Sequence, residues 1–397
     1  MNEHRVLVSF SEDFDGTSKN RLTRHVSTIL NVSGLESSSR EIKKDSILID
    51  AKDPVKVAEV LSKIPGVDYT AVVEVVSSNY EDVVEAMARA GIRLVYPHET
   101  FSIRADISGS LPYRSRDIEF ATASRLIGEL GGKGVRHSKK SAKVIYAKID
   151  KEMACTFYYK YDGPGGRPVG SQGKALCLIS GDKDSAAATW MMARQGILPS
   201  LLFFDIGPYV DHSYVKRAIT IATLIREFLP FRRCYLTALK TDSVIDSLKQ
   251  SCSNEVLPFV LRRMVVRIAC AYADRIDVSS VVSGESMSKD GFQDLLDLLE
   301  VSSKYRKQIL FPLVGLGAQE IMNCSRRMGI PEFTYENEGW LKVSPRAYDR
   351  RAVMEAENGL DTDRLIEEVL SKTIRIDLKS GFDDIHAILD HYFCSRV

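Results

Sequence analysis

Apolar positions along the chain fall into two regimes. In the first third, RVLVSF (5–10) alternates and predicts a strand, and SKNRLTRHVSTIL (18–30) repeats at three and four residues and predicts a helix. SILID (46–50) predicts a second strand, and VKVAEVLSKI (55–64) a helix that Pro65-Gly66 closes. The order then begins again: YTAVVEVV, the helix NYEDVVEAMARAG, the strand TFSIRADI, the helix RDIEFATASRLIGELGG, and the strands AKVIYAKID and ACTFYYKY. This predicts a small α+β unit behind a smaller amino-terminal one. The stretch 162–174, DGPGGRPVGSQGK, is dense in Gly and Pro and reads as a linker. From Ala175 onward nearly continuous apolar strands alternate with helices: ALCLI, a helix over 184–195, SLLFFDI, SYVKRAITIATLIREFL, CYLTAL, helices across 242–276, SSVVSG and FQDLLDLLEVS. Such alternation means a parallel sheet covered on both faces. QILFPLVGL and AQEIMNCSRRMG complete it, and the tail from about Arg346 predicts one or two further amphipathic helices.

Composition narrows the class without naming a function. The 397 residues carry 54 Lys+Arg against 53 Asp+Glu and are 44% hydrophobic and 27% charged, which excludes wholesale disorder and collagen-like repeats. The longest run free of charged side chains, Gln308 to Gln319, is too short to span a bilayer. The amino terminus shows no secretory pattern, so a cytoplasmic protein is expected. Seven scattered cysteines with no CxxC pair argue against a disulfide framework and the common zinc spacings. Charge is uneven, however. Between Phe101 and Asp150 stand ten Lys+Arg against five Asp+Glu, among them Arg104, Arg114, Arg116, Arg136, Lys139 and Lys140. This is a candidate phosphate-facing surface.

In an open parallel sheet the ligand sits beyond the carboxyl ends of the strands, so the turn after ALCLI is the one to read. It is Ser180-Gly181-Asp182-Lys183-Asp184-Ser185, followed at once by a helix. Backbone N–H groups, two hydroxyls and the positive end of a helix dipole converge there, an arrangement suited to a pyrophosphate. The turn matches neither GxxxxGK[ST] nor GxGxxG.

SGDKDS resembles the SGGxDS loop of the PP-loop ATP pyrophosphatases, and GGRPVGSQGKALCLISGDKDS resembles the linker and loop of the tRNA 4-thiouridine synthetases, or tRNA sulfurtransferases. VSFSEDFDGTSKNRLTRHVSTIL is similar to that family's ferredoxin-like segment, LRRMVVRIA to its Arg-bearing helix, and VSGESMSKDGFQDL to its second nucleotide-contacting loop. The resemblance implies an α/β fold: a parallel-sheet, Rossmann-like PP-loop catalytic domain preceded by small α+β ferredoxin-like and THUMP domains. Its implied boundaries are 1–55 ferredoxin-like, 56–162 THUMP and RNA-binding, 163–174 linker, 175–345 PP-loop, and 346–397 a helical extension.

By the same resemblance, ATP contacts fall on Leu178, Ile179, Phe203, Phe204, Arg263, Gly284 and Gln293. Asp184 is a candidate for metal or loop-organising work, Ser180 and Ser185 for phosphate contacts, and Lys183 for charge compensation. The tRNA contacts are expected on Arg104, Arg114, Arg116, Arg136, Lys139 and Lys140. The implied reaction adenylates a tRNA uridine, that at position eight, and exchanges its O4 for sulfur. ATP and Mg²⁺ serve it; the metal's ligands are unassigned. The implied partners are tRNA, a sulfur donor (a cysteine desulfurase persulfide or sulfide) and a sulfur-carrier protein for thiamine thiazole synthesis; a homodimer is compatible, a membrane is not implied.

Three departures from the family pattern accompany the match. Asp182 stands where the family has its second Gly. Tyr335-Glu336-Asn337-Glu338-Gly339 offers no Cys, and Pro258 to Arg263 no CxxC, which leaves Cys252 and Cys234 as candidates for a sulfur relay. They frame two other readings: a tRNA-binding protein with an impaired catalytic loop, and a PP-loop enzyme acting on a different substrate.

Overall fold

The computed structural model describes residues 5–11, 16–35, 37–42, 45–131, 136–138, 140–230, 233–287, 298–330, 350–378, 388–390 and 392–393. The chain divides into two compact units, Met1–Arg167 and Pro168–Val397.

In the first unit β1 (Arg5–Phe10) runs antiparallel between β3 (Ser46–Ala51) and β4 (Val67–Ser77), and β2 (Ser37–Ile42) flanks β3. With α1 (Gly16–Val32) and α2 (Pro54–Leu61) as crossovers, this is a ferredoxin-like βαββαβ arrangement. Residue 55, where the sequence suggests a boundary, lies inside α2, whose Val57, Ala58 and Leu61 share one core with Val6, Val8, Ile47 and Ile49. Asp53 caps α2 by accepting the Lys56 N–H, and Pro54 fills the first turn, where a missing N–H costs nothing.

The far half of β4 pairs with β8 (Met153–Phe157), and the sheet continues through β7 (Val144–Ile149), β5 (Thr100–Ile107) and the short β6 (Arg136–His137). The two-residue β9 (Tyr161–Asp162) pairs with the near half of β4. Helices α3 (Tyr80–Leu94) and α4 (Ser115–Glu129) bury Val83, Met87, Ile118 and Leu126 against β5 and β7. Each such side chain contributes about 1.5–3 kcal/mol when fully removed from water.

The second unit is built on a six-stranded sheet in the order β14-β13-β10-β11-β12-β15. Its strands are β10 (Lys174–Ile179), β11 (Leu198–Asp205), β12 (Cys234–Lys240), β13 (Ser280–Val282), β14 (Gln308–Leu310) and β15 (Thr373–Leu378). The first five are mutually parallel; β15 pairs antiparallel with β12. The tail thus supplies a strand as well as the predicted helices. Its TIRIDL alternates, with Ile376 and Leu378 in the core, while Arg375 faces outward.

Helices α5 (Lys183–Arg194), α6 (His212–Glu227), α7 (Asp242–Ser251), α8 (Leu257–Arg275), α9 (Ala318–Arg327), α10 (Arg350–Asn358) and α11 (Thr362–Ser371) cover the sheet. Two separate apolar cores, one on each face, confirm the doubly wound pattern. Because β10 neighbours both β11 and β13, the order reverses between β10 and β13. A crevice opens beyond the carboxyl ends of strands at such a reversal.

A candidate nucleotide crevice at the sheet's switch point

A cavity of about 310 Å³ occupies that reversal point, walled by the turn after β10, the end of β11, the loop after β13 and one side of α8. Ser180, Asp184, Ser185, Leu178, Ile179, Phe204 and Gly284, all expected from the sequence, line it together. The fold thus brings three segments that span about a hundred residues of the chain to one place.

The turn after β10 is fixed by its own hydrogen bonds. Gly181 adopts φ +77°, and a Cβ there would lie 3.2 Å from Ala218 N and Tyr214 O. Only glycine fits without strain. Asp182 is extended at φ −111°, ψ 165°, a conformation open to any residue, and caps α5 by accepting the Ser185 N–H at 2.9 Å. The family's second glycine is therefore dispensable here, and the aspartate side chain organises the turn rather than blocking it. The Ser185 hydroxyl donates to Asp182 O at 3.0 Å and accepts the Ser180 N–H at 3.2 Å. Ser185 consequently holds the loop, and the exposed Ser180 is the hydroxyl that a ligand meets first.

Asp184 is buried at the start of α5 and lines the crevice. Lys183 is not part of the lining; its carbonyl accepts from the Ser325 hydroxyl of α9 at 3.3 Å. A Cβ on Gly284 would lie 2.8 Å from Ser185 N and 2.9 Å from Ser185 Cα. The loop after β13 and the turn after β10 thus meet backbone to backbone, a closeness that requires a residue without a side chain.

Two expected contacts move. Phe203 is fully buried on the opposite face of β11, 5.4 Å from the Tyr214 ring, because strand residues alternate faces; Phe204 alone turns to the crevice. The Arg263 guanidinium is 3% exposed and donates from Nε and Nη2 to Glu357 Oε2 at 3.1 and 2.8 Å. Arg267 Nη2 lies 2.6 Å from Glu357 Oε1. Arg263 therefore clamps α10 to α8, and its neighbour Arg262 lines the crevice, with Nη2 at 3.7 Å from Glu285 Oε1. Adjacent helical residues point about 100° apart, so only one of the pair can face the ligand. Gln293 lies outside the described residues.

The sequence also misses Tyr214 of α6, which lines the crevice. Burial, and after it the Asp182 carboxylate, push its phenol well above the ordinary tyrosine range, so it meets a ligand as a neutral hydroxyl.

Neither candidate relay cysteine belongs to the crevice. Burial pushes the Cys234 thiol up to about 11, and burial also raises Cys252, whose Sγ–H donates to Leu248 O at 3.1 Å. A relay needs a thiolate near neutral pH, and these surroundings oppose one. Among the described residues no cluster of three or more His, Cys, Asp or Glu could hold a metal, and no helix is long and apolar enough to cross a membrane.

In the first unit Arg104 of β5, Arg114 and Arg116 at the start of α4, and Lys140 are exposed. Arg136 begins β6, while its side chain and Lys139 lie outside the described residues. Lys143, from the same basic tract, is anchored by Leu94 O at 2.8 Å and by Glu99.

Residues 170–358 match the model of the thiamine biosynthesis protein (ThiI) family. A tRNA sulfurtransferase of Pseudomonas syringae pv. syringae is 26% identical over 354 residues, 88% of this chain and 72% of that protein. A second, from Pectobacterium carotovorum subsp. carotovorum, is 27% identical over 351 residues, 84% and 70% of the two chains. The fold superposes on the crystal structure of a 4-thiouridine synthetase–RNA complex with bound ATP at a TM-score of 0.76 and 20% identity, covering 94% of this chain and 99% of that one. By these matches the chain is similar to the ThiI family over residues 170–358 and to tRNA sulfurtransferases along most of its length, and it shares the fold of a 4-thiouridine synthetase.

Proposed function

We propose that this protein is an ATP-dependent tRNA sulfurtransferase that converts a uridine, at position eight, to 4-thiouridine. The observation that carries the reading is the switch-point crevice, where the 180–185 turn, Gly284 and Arg262 surround a space suited to a nucleotide. The family's named members and the exposed arginines of the first unit support the RNA side. In this reading residues 56–162 are the THUMP module that grips tRNA, 163–174 the linker, 175–345 the catalytic domain and 346–397 an extension.

The uridine O4 attacks the α-phosphate of ATP, the bond to the β-phosphate breaks, and pyrophosphate leaves. A sulfur nucleophile then displaces AMP from C4. Ser180 and the backbone N–H groups at the start of α5 hold the departing pyrophosphate, and Arg262 neutralises its charge. Phe204 and Leu178 offer the apolar surface for the base. Asp184, buried at the start of α5 and lining the crevice, fits a phosphate-borne Mg²⁺, which protein chains commonly hold by one or two carboxylates. Bound there, the ion supplies charge neutralisation to the phosphates. Sulfur arrives from outside the chain, as sulfide or a cysteine desulfurase persulfide, since the described thiols named above are held protonated. Delivery to a sulfur carrier for thiazole synthesis would draw on the same incoming sulfur.

An RNA-holding protein with a decayed loop is disfavoured by the turn itself, whose Gly181 and hydrogen bonds are intact around Asp182. The test is pyrophosphate release from ATP with and without unmodified tRNA. Release stimulated by tRNA is expected; release that ignores tRNA contradicts the proposal.

A further inference from the structure

The carboxy-terminal residues, from beyond the region 170–358 that matches the family, return to the core behind the crevice. Ile388, Leu389 and Tyr392 are buried in the same core as Phe203, Ile179 and Val215. Tyr392 is 1% exposed, and its hydroxyl donates to Asp205 Oδ2 at 2.5 Å. The ring of Phe393 stacks on His212 with centroids 4.3 Å apart and planes 24° from parallel.

Both targets adjoin the crevice. Asp205 ends β11 and is itself 1% exposed; its flanking residues Phe204 and Ile206 line the cavity, while its own side chain turns to the Phe203 face behind it. Its Oδ1 accepts the Gly207 N–H at 3.0 Å, and its carbonyl accepts the Thr241 N–H at 2.8 Å. His212 begins α6, two residues before the crevice-lining Tyr214. One short segment therefore touches the two elements that form a single wall.

A buried carboxylate behind the wall of an anion site, with little water to screen it, opposes phosphate binding unless donors draw its charge into the protein. We infer that Tyr392 is a positioning residue for ATP: by hydrogen-bonding Asp205 it offsets that charge and fixes the end of β11, while Phe393 fixes the start of α6. The segment is thereby a latch on the nucleotide wall. This inference rests on the proposed nucleotide reading of the crevice.

The test is calorimetric titration of the full-length protein with ATP and Mg²⁺, run on wild type, Tyr392→Phe, Asp205→Asn and the double variant, with melting temperatures alongside. Tyr392→Phe keeps the packed ring and loses only the donor. Its Kd for ATP is expected to rise about fivefold or more, and the same substitution in the Asp205→Asn background to change Kd less than about twofold. A merely structural tyrosine would lower the melting temperature equally in both backgrounds and leave Kd unmoved, and that result overturns the latch. Asp205→Asn, which retains an acceptor oxygen and sheds the charge, is expected to bind ATP more tightly than wild type; weaker binding also overturns it. No heat from wild type itself would sink the nucleotide reading, and the latch with it.

Discussion

The Ser185 N–H donates to the Asp182 carboxylate across 2.9 Å, so the residue filling the loop's second glycine position also caps the helix behind the loop. The carboxylate nevertheless lines the crevice and stays close to any phosphate bound there. Its substitution by asparagine keeps an N-cap of equal quality and removes one negative charge. Asp182→Asn should bind ATP about fivefold tighter, the yield of about 1 kcal/mol of relieved repulsion at a partly wet site, with an unchanged melting temperature. Equal or weaker binding in a titration would show that the charge helps, through the metal, more than it repels.

The two glycines of the crevice fail for different reasons. Gly181→Ala places a side chain at φ +77° against backbone on α6 and should cost about 1–2 kcal/mol of stability, read in urea unfolding. Gly284→Ala forces the loop after β13 away from Ser185. ATP binding should be lost in both. If either variant binds ATP as wild type does, the two loops are not the nucleotide's cradle.

Arg262 and Arg263 are adjacent, and their roles should separate cleanly. Arg262→Ala is expected to weaken ATP binding about tenfold while melting within a few degrees of wild type, the loss of one charge-assisted contact. Arg263→Ala leaves Glu357 short of a buried partner and should cost about 3–5 kcal/mol of stability. The reverse pattern, with Arg263→Ala stable yet blind to ATP, would restore the assignment expected from the sequence.

Acid should weaken the first unit through one residue. His25 of α1 is buried between turns that carry Arg21 and Arg24, and burial first, then those two charges, lower its pKa to about 4. The unfolded chain binds the proton near pH 6.5, so between 6.5 and 4 the unfolded state holds more protons and stability falls as pH drops. Above 6.5 the contribution is complete; by pH 4 the loss is on the order of 3 kcal/mol. His25→Leu should flatten that part of the pH–stability curve, and an unchanged slope would assign it elsewhere.

How much of this was readable in the sequence follows from distance along the chain. The 180–185 turn is local, and strand, small residues and helix start stand in one run. The alternation of β11 even implies that Phe203 and Phe204 cannot both face one ligand. Arg262 and Arg263 differ by a rotation that depends on which side of α8 packs, and Glu357, ninety-four residues away, decides it. Tyr392 and Asp205 lie 187 residues apart, and no local pattern links a tyrosine to a carboxylate over that span. β2, SSSREI, has no apolar alternation to find, whereas TIRIDL of β15 had one in a tail otherwise read as helical.

The central claim is that the crevice activates a tRNA uridine with ATP. Unmodified tRNA incubated with the protein, ATP, Mg²⁺ and sulfide, then run on a mercury-containing gel, tests it directly, since free sulfide removes any need for a relay cysteine. A retarded, thiolated band that requires ATP and vanishes in Gly181→Ala is the predicted result. An unshifted tRNA with wild-type protein, under conditions where the same protein binds both ATP and tRNA, would contradict it.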